Sequence, residues 1–231
     1  MAMRSKREAN QPERRAAMTA SAARERIMRA VDDLFYREGV QAVGVDAVIA
    51  RAGVNKMSLY RNFGSKDQLI TAFLEDRNRQ YWEWWDAVMQ RHDSGPRQKL
   101  YGLFEDLQAR VTRKGYRGCP FVNLAAELSN AKHPARAVVM RNKQELKRRL
   151  CELAKAAGAK DPEALSESLI LLMEGAYASS QTCGSDGPAN SLARTAKALI
   201  DSQCRKEKKR ELRQRSSNRA GSCSETKSSS G

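Results

Sequence analysis

Apolar residues recur at three- and four-residue steps along most of the chain, and this spacing predicts amphipathic helices. The clearest examples run from Ala23 to Phe35, from Leu69 to Met89 and from Leu100 to Val111. No segment alternates apolar and polar residues convincingly over the length of a strand. Proline is scarce, and glycine lies mainly between the periodic stretches. We therefore expect an all-α protein of about nine helices joined by short turns.

Several helix starts are marked by side chains that can cap the first free backbone N–H groups. Asn55 precedes one short periodic segment, and Ser65 opens a long one with Gln68 at the position of a capping box. Asp161 followed by Pro162 gives a similar signal further along the chain. These signals predict two short helices directly before a long one.

The two short helices, predicted at about 45–52 and 55–62, have the spacing of a helix-turn-helix. In the second, Leu59 and Phe63 lie four residues apart and are expected to face the core. The rest of its circumference would face DNA and carries Lys56, Met57, Ser58, Tyr60, Arg61 and Asn62. Lysine and asparagine can bond base edges in the major groove, and methionine can contact a thymine methyl group. Lys66, at the next helix start, is placed to bind a phosphate.

Composition divides the chain into four parts. Residues 1–19 are predicted to form a disordered basic arm and residues 205–231 a disordered basic tail, because both have almost no large apolar side chains. Between them we expect a helix-turn-helix DNA-binding domain at 20–80 and a second helical domain at 81–204, to which the family resemblance described below assigns ligand binding and dimerisation.

The charge is strongly positive and unevenly distributed. The chain has 42 Lys and Arg against 27 Asp and Glu, a formal net charge of +15. Residues 1–66 carry 13 basic and 7 acidic side chains, and residues 205–231 carry 9 and 3. The middle of the chain is close to neutral. A charge this large indicates a polyanionic partner, an anionic surface or a role in solubility. Together with the helix-turn-helix it favours double-stranded DNA as the partner, and a basic scaffold or membrane-surface protein that holds an anionic partner without sequence preference is an alternative.

Other classes of protein lack their characteristic residues here. The five cysteines are far apart without a CxxC pair, and the two histidines are His92 and His133. We therefore expect no metal, no cofactor, no disulfide framework and no enzyme active site. The longest aliphatic run, Leu169 to Met173, is too short to span a bilayer, and the N-terminus lacks the apolar core of a signal peptide. The chain is expected to be soluble and cytoplasmic, with no membrane partner.

One run of residues is specific enough to indicate a family. From Ala52 to Leu69 the chain has Ala-Gly-Val, then Leu-Tyr, Phe, Ser-Lys and Leu at characteristic intervals. This run resembles the N-terminal domain of TetR/AcrR-type bacterial repressors, and residues 118–128 with His133 and Pro134 are similar to one subgroup of that family. The resemblance covers about residues 20–203. It implies a homodimer that represses from a palindromic operator and is released by a ligand in its C-terminal domain.

The resemblance also assigns residues to the operator. Tyr60 and Lys66 match positions that contact phosphates, whereas Lys56, Met57, Ser58 and Asn62 match positions that face bases or their flanking phosphates. Family members often carry Thr-Thr where this chain has Gly44-Val45, so the threonine hydroxyl contact is missing and we expect Asp46 to cap the helix instead. The complete expected DNA-binding set is Val45, Asp46, Asn55, Lys56, Met57, Ser58, Tyr60, Arg61, Asn62 and Lys66.

The C-terminal domain is expected to hold its effector in an aromatic and methionine-rich interior. The residues expected to line the cavity are Trp85, Met89, Phe104, Leu107, Phe121, Asn123, Met140, Met173 and Tyr177. Such a lining suits a small, mainly hydrophobic effector. The same residues equally fit a plain hydrophobic core, and that alternative stays open.

Dimerisation is expected because one helix-turn-helix contacts too little DNA for good specificity, and two half-sites require a two-fold axis. The last two helices are expected to form the interface through Leu165, Leu169, Leu172, Ala176, Leu192 and Leu199. Small residues such as Gly175 and Ser179 would allow the helices to approach closely.

Cys119 offers an alternative switch. It lies beside a loop with Lys114 and Arg117 and near a helix start, a setting that can lower the pKa of a thiol. A redox- or electrophile-sensing regulator is therefore a second hypothesis. An enzyme that uses Cys119 or Tyr177 is a third, although the sequence offers neither a plausible base nor a phosphate-binding loop.

Overall fold

The computed structural model describes the backbone of residues 11–204 and the side chains of residues 21–204. Within this range it contains nine α-helices and no named strand, which confirms the all-α prediction. The helices are α1 (Gln11–Glu38), α2 (Val45–Ala52), α3 (Lys56–Phe63), α4 (Lys66–Arg91), α5 (Pro96–Val111), α6 (Pro120–Glu127), α7 (Pro134–Ala156), α8 (Pro162–Thr182) and α9 (Leu192–Gln203). Two 3₁₀ helices, Gly184–Asp186 and Pro188–Ser191, join α8 to α9.

Three predicted caps are confirmed. The side chains of Asn55, Ser65 and Asp161 accept hydrogen bonds from the backbone N–H three residues further on, at 2.8, 3.1 and 3.0 Å respectively. Each bond satisfies a helical N–H group that has no partner within its own helix. The starts of α3, α4 and α8 are therefore fixed locally.

Two boundaries differ from the prediction. Helix α1 is already formed at Gln11, the first described residue, inside the stretch expected to be a disordered arm, and this stretch contains several good helix formers. The last α-helix begins at Leu192 rather than near Pro188, because the preceding turn is a 3₁₀ helix in which the Asn190 amide donates to the Ser185 and Gly187 carbonyls. Residues 1–10 of the expected arm and the whole tail 205–231 lie outside the described residues.

The N-terminal core joins α1, α2, α3 and the first turns of α4. Its buried side chains are Ile27, Val31, Phe35, Val48, Leu59, Phe63, Leu69 and Phe73. Phe35 on α1 meets Phe73 on α4 edge to face, with ring centroids 5.6 Å apart. This contact fixes the position of α1 relative to the first turns of α4.

Helix α4 belongs to both halves of the chain. Its first turns bury Leu69 and Phe73 in the N-terminal core, and its later turns bury Tyr81, Trp85 and Val88 among α5, α6 and α7. Its 26 residues extend over about 39 Å at 1.5 Å per residue. The boundary predicted at residues 80 and 81 therefore falls inside one continuous helix.

Hydrogen bonds hold α6 and its preceding loop against the N-terminal domain. The Glu127 carboxylate accepts from the Gln41 backbone N–H at 3.1 Å, and the Tyr36 hydroxyl donates to the Gly118 carbonyl at 3.3 Å. Gly39 has a φ of +92°, and a Cβ there would lie 2.8 Å from the Glu127 carboxylate. This position therefore requires glycine.

Candidate nucleic-acid interface

The turn between α2 and α3 depends on Gly53. Its φ and ψ of 61° and 42° are left-handed, and its N–H lies 3.4 Å from the Ala50 carbonyl. The following N–H, of Val54, donates to the Ile49 carbonyl at 3.3 Å. A glycine in this conformation ends α2 without a steric cost and allows α3 to start almost at once.

Helix α3 separates core residues from exposed residues as predicted. Leu59 and Phe63 are buried, whereas Met57 is 79% exposed and Tyr60 is 41% exposed. Lys56 and Arg61 are also exposed on this outer surface. Met57 and Tyr60 therefore lie three residues apart on a surface that is otherwise polar and basic, a combination that suits the major groove.

Asn62 and Ser58 differ from the other residues expected to face DNA. Both side chains are half-buried, and the Asn62 amide donates to the Ser58 carbonyl at 2.7 Å. Asn62 therefore bonds its own helix rather than extending outward. Asn55 is an exposed residue, but its side-chain oxygen accepts from the Ser58 N–H as the cap of α3.

The expected cap at Asp46 is wrong. Helix α2 has Gly44 at its N-cap with no side-chain hydrogen bond, and Val45 is half-buried at the first helical position. Asp46 lies inside the first turn, too far along the helix to cap it, and its carboxylate lies 3.5 Å from the Lys56 ammonium group. Asp46 and Lys56 therefore form a pair of opposite charges on the exposed surface of α2 and α3.

Lys66 is the first residue of α4, at the helix start predicted from the sequence. Its ammonium group lies 3.5 Å from the Gln41 carbonyl, and its side chain is half-buried. This contact holds the lysine beside the helix N-terminus, where unpaired N–H groups favour an anion.

Ion pairs behind the two short helices attach them to α1. Arg51 on α2 bonds Asp33 at 2.8 Å, and Arg37 bonds the same carboxylate group at 2.6 Å. Arg26 donates to the Gly53 carbonyl at 3.3 Å, which ties the turn to α1 as well. The exposed surface of α3 is thus held on a rigid support.

Two family models match this chain. The model described as bacterial regulatory proteins of the tetR family matches residues 27–73, and a tetracyclin repressor-like C-terminal domain matches residues 96–196. The chain belongs to the TetR family. The resemblance found in the sequence is thereby confirmed, and the protein is a transcriptional regulator that binds DNA.

Individual TetR-family proteins align over most of the chain. The transcriptional regulator AcuR from Cereibacter sphaeroides is 27% identical over 189 residues, which cover 78% of this chain and 86% of AcuR. A regulator of known structure from Streptomyces avermitilis is 31% identical with a TM-score of 0.67, covering 78% of this chain and 97% of its own. Another from Streptomyces coelicolor is 27% identical with a TM-score of 0.70, covering 79% and 94%.

Most of the residues expected to contact an effector lie deep inside the C-terminal domain of this TetR-family protein. Those that are buried in its core are Trp85, Phe104, Leu107, Phe121, Met173 and Tyr177, and Met89 is half-buried. Met140 is 57% exposed, so its assignment to an interior cavity is wrong. Helix α7 turns it to solvent because Val138 and Asn142, two residues to either side, face the interior.

Asn123 also lies away from the aromatic interior. It is part of the hydrogen-bonded junction between the domains, where its side chain donates to the Arg117 carbonyl at 2.6 Å and accepts from Gln181 at 3.2 Å. Asn123 therefore links α6 to α8.

A polar cluster lies inside the C-terminal domain, and the sequence did not show that its members lie together. It consists of Tyr81, Tyr116, Cys119 and Tyr177, and burial is the main cause that raises the pKa of all four groups. The Tyr81 hydroxyl is buried near the Tyr177 hydroxyl, whose proximity lowers its pKa, but it makes no hydrogen bond of good geometry among the described residues. Tyr177 and Cys119 were named from the sequence, for the effector cavity and as a sensor, whereas periodicity gave Tyr81 only a packing role.

The proposed activation of Cys119 is wrong. Its thiol is buried, and burial raises its pKa more than the nearby Lys143 lowers it. The thiol is therefore protonated at neutral pH, and a protonated buried thiol is a poor nucleophile. The structure therefore does not support a sensor that depends on a reactive Cys119 thiol.

The residues expected at the dimer interface divide between two faces of α8. Leu165 and Leu169 are fully buried in the core of their own chain, so their assignment to the interface is wrong. Leu172 and Leu199 are half-buried along an apolar groove of about 600 Å³, and Ala176 and Leu192 are buried residues in its lining. The sequence missed Leu171, which lies in the same groove and is 72% exposed.

Two absences apply to the part of the chain that the structure describes. No helix there is long and apolar enough to cross a membrane. No group of three or more His, Cys, Asp or Glu side chains there is placed to hold a metal ion.

Proposed function

We propose that this TetR-family regulator is a homodimeric repressor that occupies a palindromic operator and leaves it when a small, mainly apolar molecule binds its C-terminal domain. The observation that carries this proposal is the outer surface of α3, where Met57 and Tyr60 are exposed beside Lys56 while Leu59 and Phe63 anchor the helix from behind. This arrangement fits a recognition helix in the major groove.

The groove along α8 and α9 supports the dimer. Ser168, Leu171, Leu172, Gly175 and Ser179 recur on one face of α8 at three- and four-residue steps, and α9 adds Thr195 and Leu199. A second copy would cover this face and bury Leu171, a residue that otherwise keeps an apolar side chain in water. The small residues Gly175 and Ser179 leave room for the partner's helix.

The buried polar cluster supports an effector site. Tyr81 lies beside Phe121, with ring centroids 6.1 Å apart, and its hydroxyl has only the Tyr177 hydroxyl near it and no hydrogen bond of good geometry among the described residues. A buried donor with a poorly formed hydrogen bond is unfavourable, so a molecule that brings an acceptor would stabilise the conformation that admits it. We therefore infer that the effector is a mainly apolar molecule that carries one hydrogen-bond acceptor.

The junction between the domains gives the effector a route to the DNA-binding surface. Helix α6 begins next to Cys119 and ends at Glu127, whose carboxylate bonds the Gln41 N–H in the loop before α2. An effector that displaces α6 would therefore move the N-terminal domain. It must bind the free dimer more tightly than the operator-bound dimer, because only a difference in affinity can shift the equilibrium.

A nuclease footprint on DNA flanking the gene tests this function. The protein should protect one short palindrome, and the protection should disappear with one class among a panel of small apolar molecules. Tyr81→Phe should keep the protection but require a higher concentration of that molecule. A basic scaffold would protect no discrete site, and an enzyme would ignore DNA; either result rejects the proposal.

A further inference from the structure

A pair of opposite charges lies at the front of the DNA-binding surface. Asp46, in the first turn of α2, and Lys56, the first residue of α3, approach to 3.5 Å. Their side chains are 86% and 63% exposed, so both are free to contact another molecule. They come from the two helices of the helix-turn-helix and meet at its outer edge.

This pair contributes little to the fold. An ion pair between two solvent-exposed side chains adds little stability, and Asp46 does not cap α2. Helix α2 is instead held by Val48, which is fully buried, and by the bond from Arg51 to Asp33 at 2.8 Å. Asp46 is therefore available for recognition.

A carboxylate at this position is unfavourable for binding to phosphates, because the DNA backbone is itself negatively charged. In the major groove, however, a carboxylate can accept a hydrogen bond from N4 of cytosine, and a lysine ammonium group can donate to O6 and N7 of guanine. Asp46 and Lys56 thus have the complementary chemistry of one G·C base pair.

We propose that Asp46 and Lys56 together recognise one G·C base pair in each half of the operator. N4 of cytosine and O6 of guanine are about 2.9 Å apart within that pair, because they share a hydrogen bond. Two side-chain groups 3.5 Å apart can therefore contact both bases without separating first. Asp46 also holds Lys56 away from neighbouring phosphates, so it lowers the affinity for DNA in general and raises discrimination.

This inference rests on the proposed function, since it requires a palindromic operator. The test starts with the full-length protein, which selects binding sites from a pool of random duplexes. The G·C pair of interest is then replaced by A·T in both halves of the selected palindrome. The wild type should lose at least about tenfold in affinity for the altered site. Asp46→Asn keeps an oxygen that can accept from N4 of cytosine but loses the charge that holds Lys56 beside it. This variant should therefore retain only part of the preference and should bind unrelated DNA more tightly than the wild type.

Asp67→Asn is the matched control. It removes an exposed carboxylate from the first turn of α4, beside Lys66, and the amide oxygen can still face the His133 ring nitrogen 3.4 Å away. This variant should bind all sequences more tightly and keep the wild-type base preference. Lys56→Ala should lose the G·C preference, and adding Asp46→Asn to it should reduce the preference no further.

Two results would overturn the inference. If Asp46→Asn selects the same palindrome with the full wild-type preference at every position, the charge pair does not recognise a base, while the proposed repressor function stands. If the wild type selects no palindrome at all, both the inference and the proposed function fail.

Discussion

The DNA-binding surface and the interior of the C-terminal domain place similar side chains in opposite surroundings. Tyr60 and Met57 lie in water on α3, whereas Tyr81, Tyr177 and Met173 are buried. Burial raises the pKa of both interior tyrosines, and a neutral hydroxyl in such a place acts as a hydrogen-bond donor. Substitutions on the surface should therefore change binding with little effect on folding, whereas those in the interior should change both.

The largest contrast is expected between two methionines. Met173→Ala should lower the free energy of unfolding by about 2–5 kcal/mol, because it leaves a cavity in a packed core. Met57→Ala should change it by less than about 0.5 kcal/mol and yet weaken operator binding. Urea unfolding of both variants at one protein concentration measures the difference. Equal losses of stability would show that the two surroundings do not differ as described.

The second-largest effect is expected on dimerisation through the groove along α8. Leu171→Glu should raise the dissociation constant of the dimer at least about 100-fold, since an unpaired carboxylate would be buried in an apolar interface. Met140→Glu is the control, because Met140 is similarly exposed but lies on α7 outside the groove. Sedimentation at micromolar concentration should give the monomer mass of 25.8 kDa for Leu171→Glu alone. A dimer with Leu171→Glu would place the interface elsewhere.

The N-terminal domain could be predicted from sequence to the level of single residues because its signals are local. The caps at Asn55 and Ser65 each depend on a backbone group three residues away. The core positions Leu59 and Phe63 follow from one turn of helix. Asn62 and Asp46 were exceptions. The Asn62 amide could bond either a base or the carbonyl of Ser58, and the sequence does not distinguish the two; Asp46 lies two residues beyond the N-cap position of α2, too far along the helix to cap it.

The faces of the C-terminal helices could not be assigned in this way. Helix α8 is apolar on two sides, so Leu169 and Leu171 look alike in sequence although one is fully buried and the other is exposed. Which side meets the chain's own core depends on how α5, α7 and α9 pack around it. Periodicity shows which residues share a face of a helix but not which face meets the core, and this also explains the error at Met140.

A smaller effect separates phosphate contacts from base contacts on the DNA-binding surface. Lys66→Ala should weaken binding to every sequence and flatten the salt dependence by about 0.9, because one phosphate charge is no longer neutralised. Tyr60→Phe should also weaken all binding but leave the salt dependence unchanged, since a phenol carries no charge. Affinities measured between 50 and 200 mM salt test both expectations. Unchanged operator affinity in both variants would remove these residues from the interface.

The smallest expected effect lies on the outer surface of α7, where neither DNA nor an effector is involved. Glu145 accepts hydrogen bonds from Arg148 at 2.6 and 2.7 Å and from Arg149 at 2.7 Å. These bonds, led by the one to Arg148, lower the pKa of the Glu145 carboxyl to about 2. Because the pKa is lower in the folded chain, the stabilisation is complete above about pH 4.5 and is lost as the pH falls towards 2.

Glu145→Gln should therefore destabilise the protein at pH 7 by only a few tenths of a kcal/mol, because water screens this exposed cluster. The difference between variant and wild type should shrink at pH 3, where part of the wild-type stabilisation is already lost. Urea unfolding at the two pH values measures it, with Glu152→Gln as a control that removes a single bond to Arg148. A difference that stays constant between pH 7 and pH 3 would mean that the Glu145 carboxyl does not titrate as its contacts require.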